Sequence, residues 1–111
     1  MNKYRNKKVV RNGITYDSQK EANRHAVLKL LERSGKIRDL QRQVKFELLP
    51  AQREKMGTGK VIERACSYIA DFTYYENGVL VVEDTKGYKT PEYKLKKKMM
   101  LYFHDIRIKE T

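Results

Sequence analysis

The chain has 111 residues, enough for one domain with a modest core, and its 40% hydrophobic content excludes a disordered polymer. Its 25 lysines and arginines against 14 acids leave a formal charge of +11, which points to a polyanionic partner, nucleic acid first. A single cysteine, Cys66, excludes an intramolecular disulfide and a cysteine-based zinc site, and two histidines exclude a histidine-rich one. The sequence contains neither an apolar signal segment nor a membrane span, so a protein of the reducing cytoplasm is expected. An acidic membrane surface is the weaker alternative partner, because no basic helix with a broad apolar face stands out.

Residues 1–13 read as a basic N-terminal arm (Lys3, Arg5, Lys7, Lys8, Arg11) with a turn at Asn12-Gly13. Such an arm either sits solvated or contacts a nucleic-acid backbone. The first helix opens at Tyr16-Asp17-Ser18-Gln19-Lys20-Glu21, with Ser18 as N-cap and Glu21 completing a capping box. Ala22, Ala26, Val27, Leu30 and Leu31 supply its apolar face, and Gly35 closes it. The cap is reason enough for Glu21 to be an acid.

Residues 40–50 alternate, with Leu40, Val44, Phe46 and Leu48 on one face and Gln41, Gln43, Lys45 and Glu47 on the other. That is a half-buried strand. Residues 51–64, with Gly57, Gly59, Arg53, Lys55, Lys60 and Arg64, read as a mobile basic loop. It lacks the Gly-Lys-Ser/Thr end of a phosphate-binding P-loop, so it is either a plain surface loop or a DNA contact.

Tyr68 to Gly87 reads as a β-hairpin, two runs rich in Val, Ile, Tyr, Phe and Thr joined by Asn77-Gly78. A two-residue turn puts Glu76 opposite Val79 and, further out, Asp71 opposite Asp84. Opposed residues have Cβ atoms roughly 4.5–5.5 Å apart, where two carboxylates repel unless one is protonated or a cation sits between them. Lys86 follows Asp84 by two residues and emerges on the same face. Glu83 pairs with Phe72 on the other face, so Asp84 is the candidate acid, and a one-residue bulge would exchange the two. Structural ion pairing of Lys86 with the aspartates is the alternative reading.

Thr90-Pro91 starts the second helix, with Leu95, Met99, Tyr102 and Phe103 inward and Lys94, Lys96, Lys97 and Lys98 outside. The lysine run is either a solvated face or, together with Lys89, a phosphate contact beside the acids. Residues 105–109 read as a short closing strand.

The order α-β-β-β-α-β, with acids on both hairpin strands and Asp84-Thr85-Lys86 ending the second, resembles the PD-(D/E)xK nuclease superfamily. That superfamily includes restriction endonucleases, archaeal Holliday-junction resolvases and phage junction-resolving endonucleases. More closely, the chain looks like a family of small phage proteins with Tyr-Asp-Ser-x-x-Glu, Tyr-Ile-Ala-Asp-Phe and Val-Val-Glu-Asp-x-Lys-Gly followed by Thr-Pro-Glu. Those segments are residues 16–21, 68–72, 81–87 and 90–92 here. The resemblance implies one restriction-endonuclease-like α/β (α+β) domain over residues 1–111, a mixed central sheet flanked by helices.

It also implies catalytic roles for Glu21, Asp71, Asp84 and Lys86. Ala70 stands where the motif's name has proline. No glutamine of the exonuclease branch is apparent in the second helix, which leans towards an endonuclease. Mg²⁺ or Mn²⁺ is the implied cofactor, held by Asp71, Asp84, Glu21 and the Thr85 carbonyl, since oxygen ligands suit these ions better than zinc. Lys86 would orient or deprotonate the attacking water or stabilise developing charge. DNA is the implied partner, branched or junction DNA first, met through Arg53, Lys55, Lys60, Lys89, Lys94, Lys97 and Lys98. A homodimer would supply two symmetric cuts. Two rivals stand beside the enzyme: a non-catalytic nucleic-acid-binding protein of phage replication or recombination, and an RNA- or ribosome-associated structural protein.

Overall fold

The computed structural model describes residues 7–111. Strands β1 (Val9–Arg11) and β2 (Ile14–Tyr16) pair antiparallel across Asn12-Gly13. Both turn residues have positive φ, the conformation that tight hairpins need and that Asn-Gly adopts readily. The expected turn at Asn12-Gly13 is thus observed, and it closes a short hairpin that the reading of residues 1–13 as an arm did not include. Lys3 and Arg5 lie outside the described residues.

Helix α1 (Gln19–Arg33) starts where its cap predicts, with Ser18 Oγ accepting from the Glu21 amide at 3.1 Å. Gly35 at φ +81° lets its own amide and that of Lys36 reach the Glu32 and Leu31 carbonyls, closing the helix. The buried face differs from the expected one. Glu21, Ala22, His25 and Leu28 are buried, while Ala26, Val27 and Leu30 are exposed. The inward stripe carries two polar residues whose side chains find hydrogen-bond partners, so apolar spacing alone selects the wrong side. His25 Nδ1 hydrogen-bonds the Tyr16 hydroxyl, and Glu21 belongs to the site described below.

The remaining elements are β3 (Arg38–Leu49), β4 (Gln52–Lys55), β5 (Thr58–Glu63), β6 (Cys66–Glu76), β7 (Val79–Asp84), α2 (Pro91–His104) and β8 (Lys109–Glu110). The main sheet runs β3-β6-β7-β8, antiparallel except for the parallel β7–β8 pair. With the small hairpins set aside, the expected order α-β-β-β-α-β is observed, a mixed sheet between helices. Leu28, Ile37, Phe72 and Tyr74 form the core on the α1 side, and Val81 packs against it. Leu48, Tyr68, Ala70, Val82, Tyr93, Met100 and Ile108 form the core on the α2 side. Adjacent Val81 and Val82 thus divide between the two cores, as strand geometry requires.

Apart from bulges at 38–41, where Asp39 is left-handed at φ 56°, and at 47–49, strands β3 and β6 break that alternation at one shared level. On β6, Tyr68 and Ala70 join the α2 side, whereas Phe72 and Tyr74 join the α1 side. On β3, Leu40 packs on the α1 side, and Phe46 and Leu48 on the α2 side. The pairs Arg42–Phe72 and Val44–Ala70 bracket the slip, which therefore falls between Gln43 and Asp71. Gln43 has φ +53°. The single-faced strand expected for residues 40–50 is corrected accordingly.

Residues 52–63 are a second correction. They form the β4–β5 hairpin, turning at Gly57 (φ +79°), and every one of them is exposed. β-branched Thr58, Val61 and Ile62 favour the pairing that the surrounding charges disguise.

In α2 the side chain of Thr90 accepts from the Tyr93 amide and Pro91 occupies the first turn. Tyr93 and Met100 are its buried residues, with Met99 packed alongside. Leu95, Tyr102 and Phe103, expected inside, are exposed, Tyr102 by 84%. The closing strand is shorter and later than expected, Lys109–Glu110, because Asp105 turns left-handed at φ 55° and Ile106 and Ile108 pack into the α2-side core. Among the described residues no helix is long and apolar enough to cross a membrane.

Candidate active site

The Asn77-Gly78 turn fixes the register as expected, Glu76 with Val79 through to Phe72 with Glu83. Asp84 thereby ends β7 one step beyond, level with Asp71. Its side chain has no exposed surface. Oδ2 accepts from the Tyr68 hydroxyl at 2.6 Å and lies 3.4 Å from Lys86 Nζ. Oδ1 is buried without a partner. Asp71 Oδ2 accepts from both the amide and the hydroxyl of Thr85, each at 2.9 Å.

Burial first, then the neighbouring carboxyl of Asp71, push Asp84 up to about 7, against the pull of Tyr68 and Lys86. Lys86 Nζ sits 4.7 Å over the Tyr93 ring, a cation–π contact, and the Tyr93 hydroxyl donates to Glu110 at 2.7 Å. Lys20 Nζ donates to the Lys86 carbonyl at 3.4 Å, tying α1 to the end of β7.

Glu21 enters from α1. Its Oε1 accepts from the Asp17 amide at 2.9 Å, one residue before the amide a capping box would use. Its Oε2 accepts from Gln43 Nε2 at 3.1 Å and lies 3.8 Å from Arg42 Nη2. Burial raises the proton affinity of Glu21, the Asp17 amide opposes this, and the charge of Asp71 adds to it. Glu21 and Asp71 are thus electrostatic neighbours.

Glu83 faces the other way. Arg24 forks onto both of its oxygens, Tyr74 donates at 2.7 Å and Thr111 at 3.3 Å. It has no exposed surface. Two adjacent acids therefore have opposite fates: Glu83 is fully paired and Asp84 is left one oxygen short.

Over residues 1–110 the sequence matches the family described as protein of unknown function (DUF1064). The chain belongs to this family. No curated protein and no solved structure matches it.

Among the described residues of this DUF1064 chain, no three His, Cys, Asp or Glu side chains converge as a ready-made metal site. What the chain offers a divalent ion is the Asp71–Asp84 pair, all-oxygen and with one buried carboxylate oxygen unpartnered, which fits a hard cation. Both Glu21 oxygens already accept hydrogen bonds.

The basic residues expected to meet nucleic acid fall in two places. Lys89, Lys94, Lys97 and Lys98 line a groove of about 480 Å³ floored by Tyr93 and Leu101. Glu110 holds Lys89 at 3.0 Å and Lys97 at 3.1 Å inside it. Arg53, Lys55 and Lys60 stand apart on the β4–β5 hairpin, where Arg53 Nη1 donates to the Gly59 carbonyl at 2.8 Å. Tyr68, Tyr93, Arg42 and Gln43 are site neighbours that sequence reasoning misses. Tyr68 reaches Asp84 from the neighbouring strand, Tyr93 lies under Lys86, and Arg42 and Gln43 reach Glu21 from β3; the one local cue is that Tyr68 sits three residues before Asp71.

Proposed function

We propose that this DUF1064 protein is a divalent-cation-dependent DNA endonuclease acting on branched DNA. The observation that carries the reading is the pairing of Asp71 with Asp84 on facing strands, Asp84 fully buried with one oxygen unpartnered and Lys86 held beside it. Folding alone gives a poor account of two like-charged acids on facing strands, whereas a cation site gives a direct one.

Asp71 and Asp84, with the Thr85 carbonyl and Glu21 alongside, would hold Mg²⁺ or Mn²⁺, which when bound supplies charge to the phosphate and acidity to its water. Lys86 is steadied by Asp84 and the Tyr93 ring and meets the attacking water or the charge developing on the phosphate. The lysine groove beside α2 receives the neighbouring backbone phosphates. Cutting a junction requires two symmetric incisions, and a two-fold homodimer would bring two such sites. We place the activity in the cytoplasm.

The groove would equally serve a non-catalytic nucleic-acid-binding protein, so dependence on the acids separates the two readings. The test is incubation with labelled four-way, branched and linear DNAs in Mg²⁺, Mn²⁺ or EDTA. Cleavage of branched substrates in either metal is the expected result. Binding without cleavage in all conditions would leave the non-catalytic reading.

A further inference from the structure

We propose that Gln43 is a positioning residue for Glu21, and that the left-handed break in β3 exists to put it there. The inference rests on the nuclease reading and adds to it a residue that holds the site without taking part in the reaction.

Gln43 adopts φ +53° in the middle of a strand, where any side chain beyond glycine is strained. The break lies between the pairs Arg42–Phe72 and Val44–Ala70, so it falls opposite Asp71. Packing does not explain it, because Gln43 is exposed and belongs to neither core. What the break achieves is a local convergence. In a regular strand consecutive side chains point to opposite faces. Here Arg42 and Gln43, adjacent in sequence, both approach Glu21 Oε2, at 3.8 and 3.1 Å.

The two donors are not equivalent. Gln43 is a neutral amide within hydrogen-bond distance, so it orients the carboxylate without cancelling its charge. Arg42 stands further off and stacks over the Tyr16 ring at 4.7 Å. With Oε1 on the Asp17 amide and Oε2 on Gln43, the Glu21 carboxylate is fixed between α1 and β3. Its charge is then held beside that of Asp71. The alternation slips on both strands at the one level where the acids need to be brought together.

The test compares wild type with Gln43→Gly, Gln43→Ala and Glu21→Gln at a temperature where circular dichroism shows all four folded. Mn²⁺ affinity is measured by titration calorimetry, the Mn²⁺ dependence of cleavage by assay, and Tm in EDTA. Gln43→Gly and Gln43→Ala lose the same hydrogen bond to Glu21, but only glycine carries no strain at this φ, so Gln43→Gly should melt above Gln43→Ala. Gln43→Gly should bind Mn²⁺ about tenfold more weakly than wild type, as loss of an outer partner does, with a matching shift in cleavage. Glu21→Gln should weaken Mn²⁺ at least as much. Unchanged Mn²⁺ affinity in Gln43→Gly would overturn the positioning role. A Gln43→Gly variant that melts no higher than Gln43→Ala would overturn the claim that the break costs stability. A wild type that neither binds Mn²⁺ nor cuts DNA would remove the nuclease reading itself, and that failure is read on the wild type alone.

Discussion

The Tyr68 hydroxyl donates to Asp84 Oδ2 at 2.6 Å, joining two buried side chains 16 residues apart. A donor to that oxygen favours the ionised carboxylate, and the other oxygen has no partner. Tyr68→Phe should therefore raise Asp84 further above its already elevated value of about 7. The acid limb of the pH–rate profile should move to higher pH by about one unit, the scale of one charge-assisted hydrogen bond. A profile that stays in place would show that Asp84 does not set this limb.

Asp71→Asn and Asp84→Asn should each reduce metal-dependent cleavage by more than roughly 100-fold, beyond what losing an outer partner costs. They should not unfold the protein. The folded-state pKa of Asp84 lies above its unfolded value of 3.8, so the folded chain binds more protons between these values. The stability this group contributes is present at about pH 4 and is lost as the pH rises through about 7. In EDTA at about pH 8, Asp84→Asn should thus melt higher than wild type, and the gap should close at about pH 5. A variant less stable than wild type at both pH values would contradict the repulsive pair.

Glu83 should behave in the opposite way. Its oxygens are taken by Arg24, Tyr74 and Thr111, and it is fully buried. Glu83→Ala strands the Arg24 charge and should cost about 3 kcal/mol in urea unfolding. If Glu83→Gln is folded yet dead while Asp84→Asn cleaves normally, the roles of the two acids are exchanged.

Replacing Lys94, Lys97 and Lys98 by glutamine should weaken DNA binding and lower the salt slope by about one unit for each phosphate that is no longer neutralised. The measurement is fluorescence anisotropy across a salt series in EDTA. A slope unchanged by the triple replacement would move the DNA surface elsewhere, with Arg53, Lys55 and Lys60 on the β4–β5 hairpin as the next set to replace.

What was legible in the sequence was local. Asn77-Gly78 fixes its own register, so the levels of Asp71, Glu83 and Asp84 follow from a two-residue turn. Ser18, Gly35 and Thr90 mark helix ends through hydrogen bonds a few residues long. The rest depends on partners far along the chain. The inward face of α1 carries Glu21 and His25, whose burial draws on Gln43 and Tyr16 from outside the helix. The slip in β3 requires β6 beside it, and no residue near Gln43 announces it. The β4–β5 hairpin is exposed throughout, so it has no buried face to leave an alternating pattern.

The adjacent acids of β7 also set how this sequence can vary. A substitution changes one side chain, but an insertion between residues 72 and 84 turns every later side chain to the other face. It would swing Glu83 away from Arg24 and turn Asp84 from Tyr68 in a single step. The strand is thus forgiving in spelling and brittle in frame. Lengthening the turn at Gly57, by contrast, disturbs only an exposed ribbon. In a library of single-residue insertions, survivors should accumulate through 52–63 and vanish from 72–84, even where substitutions at the same positions are tolerated.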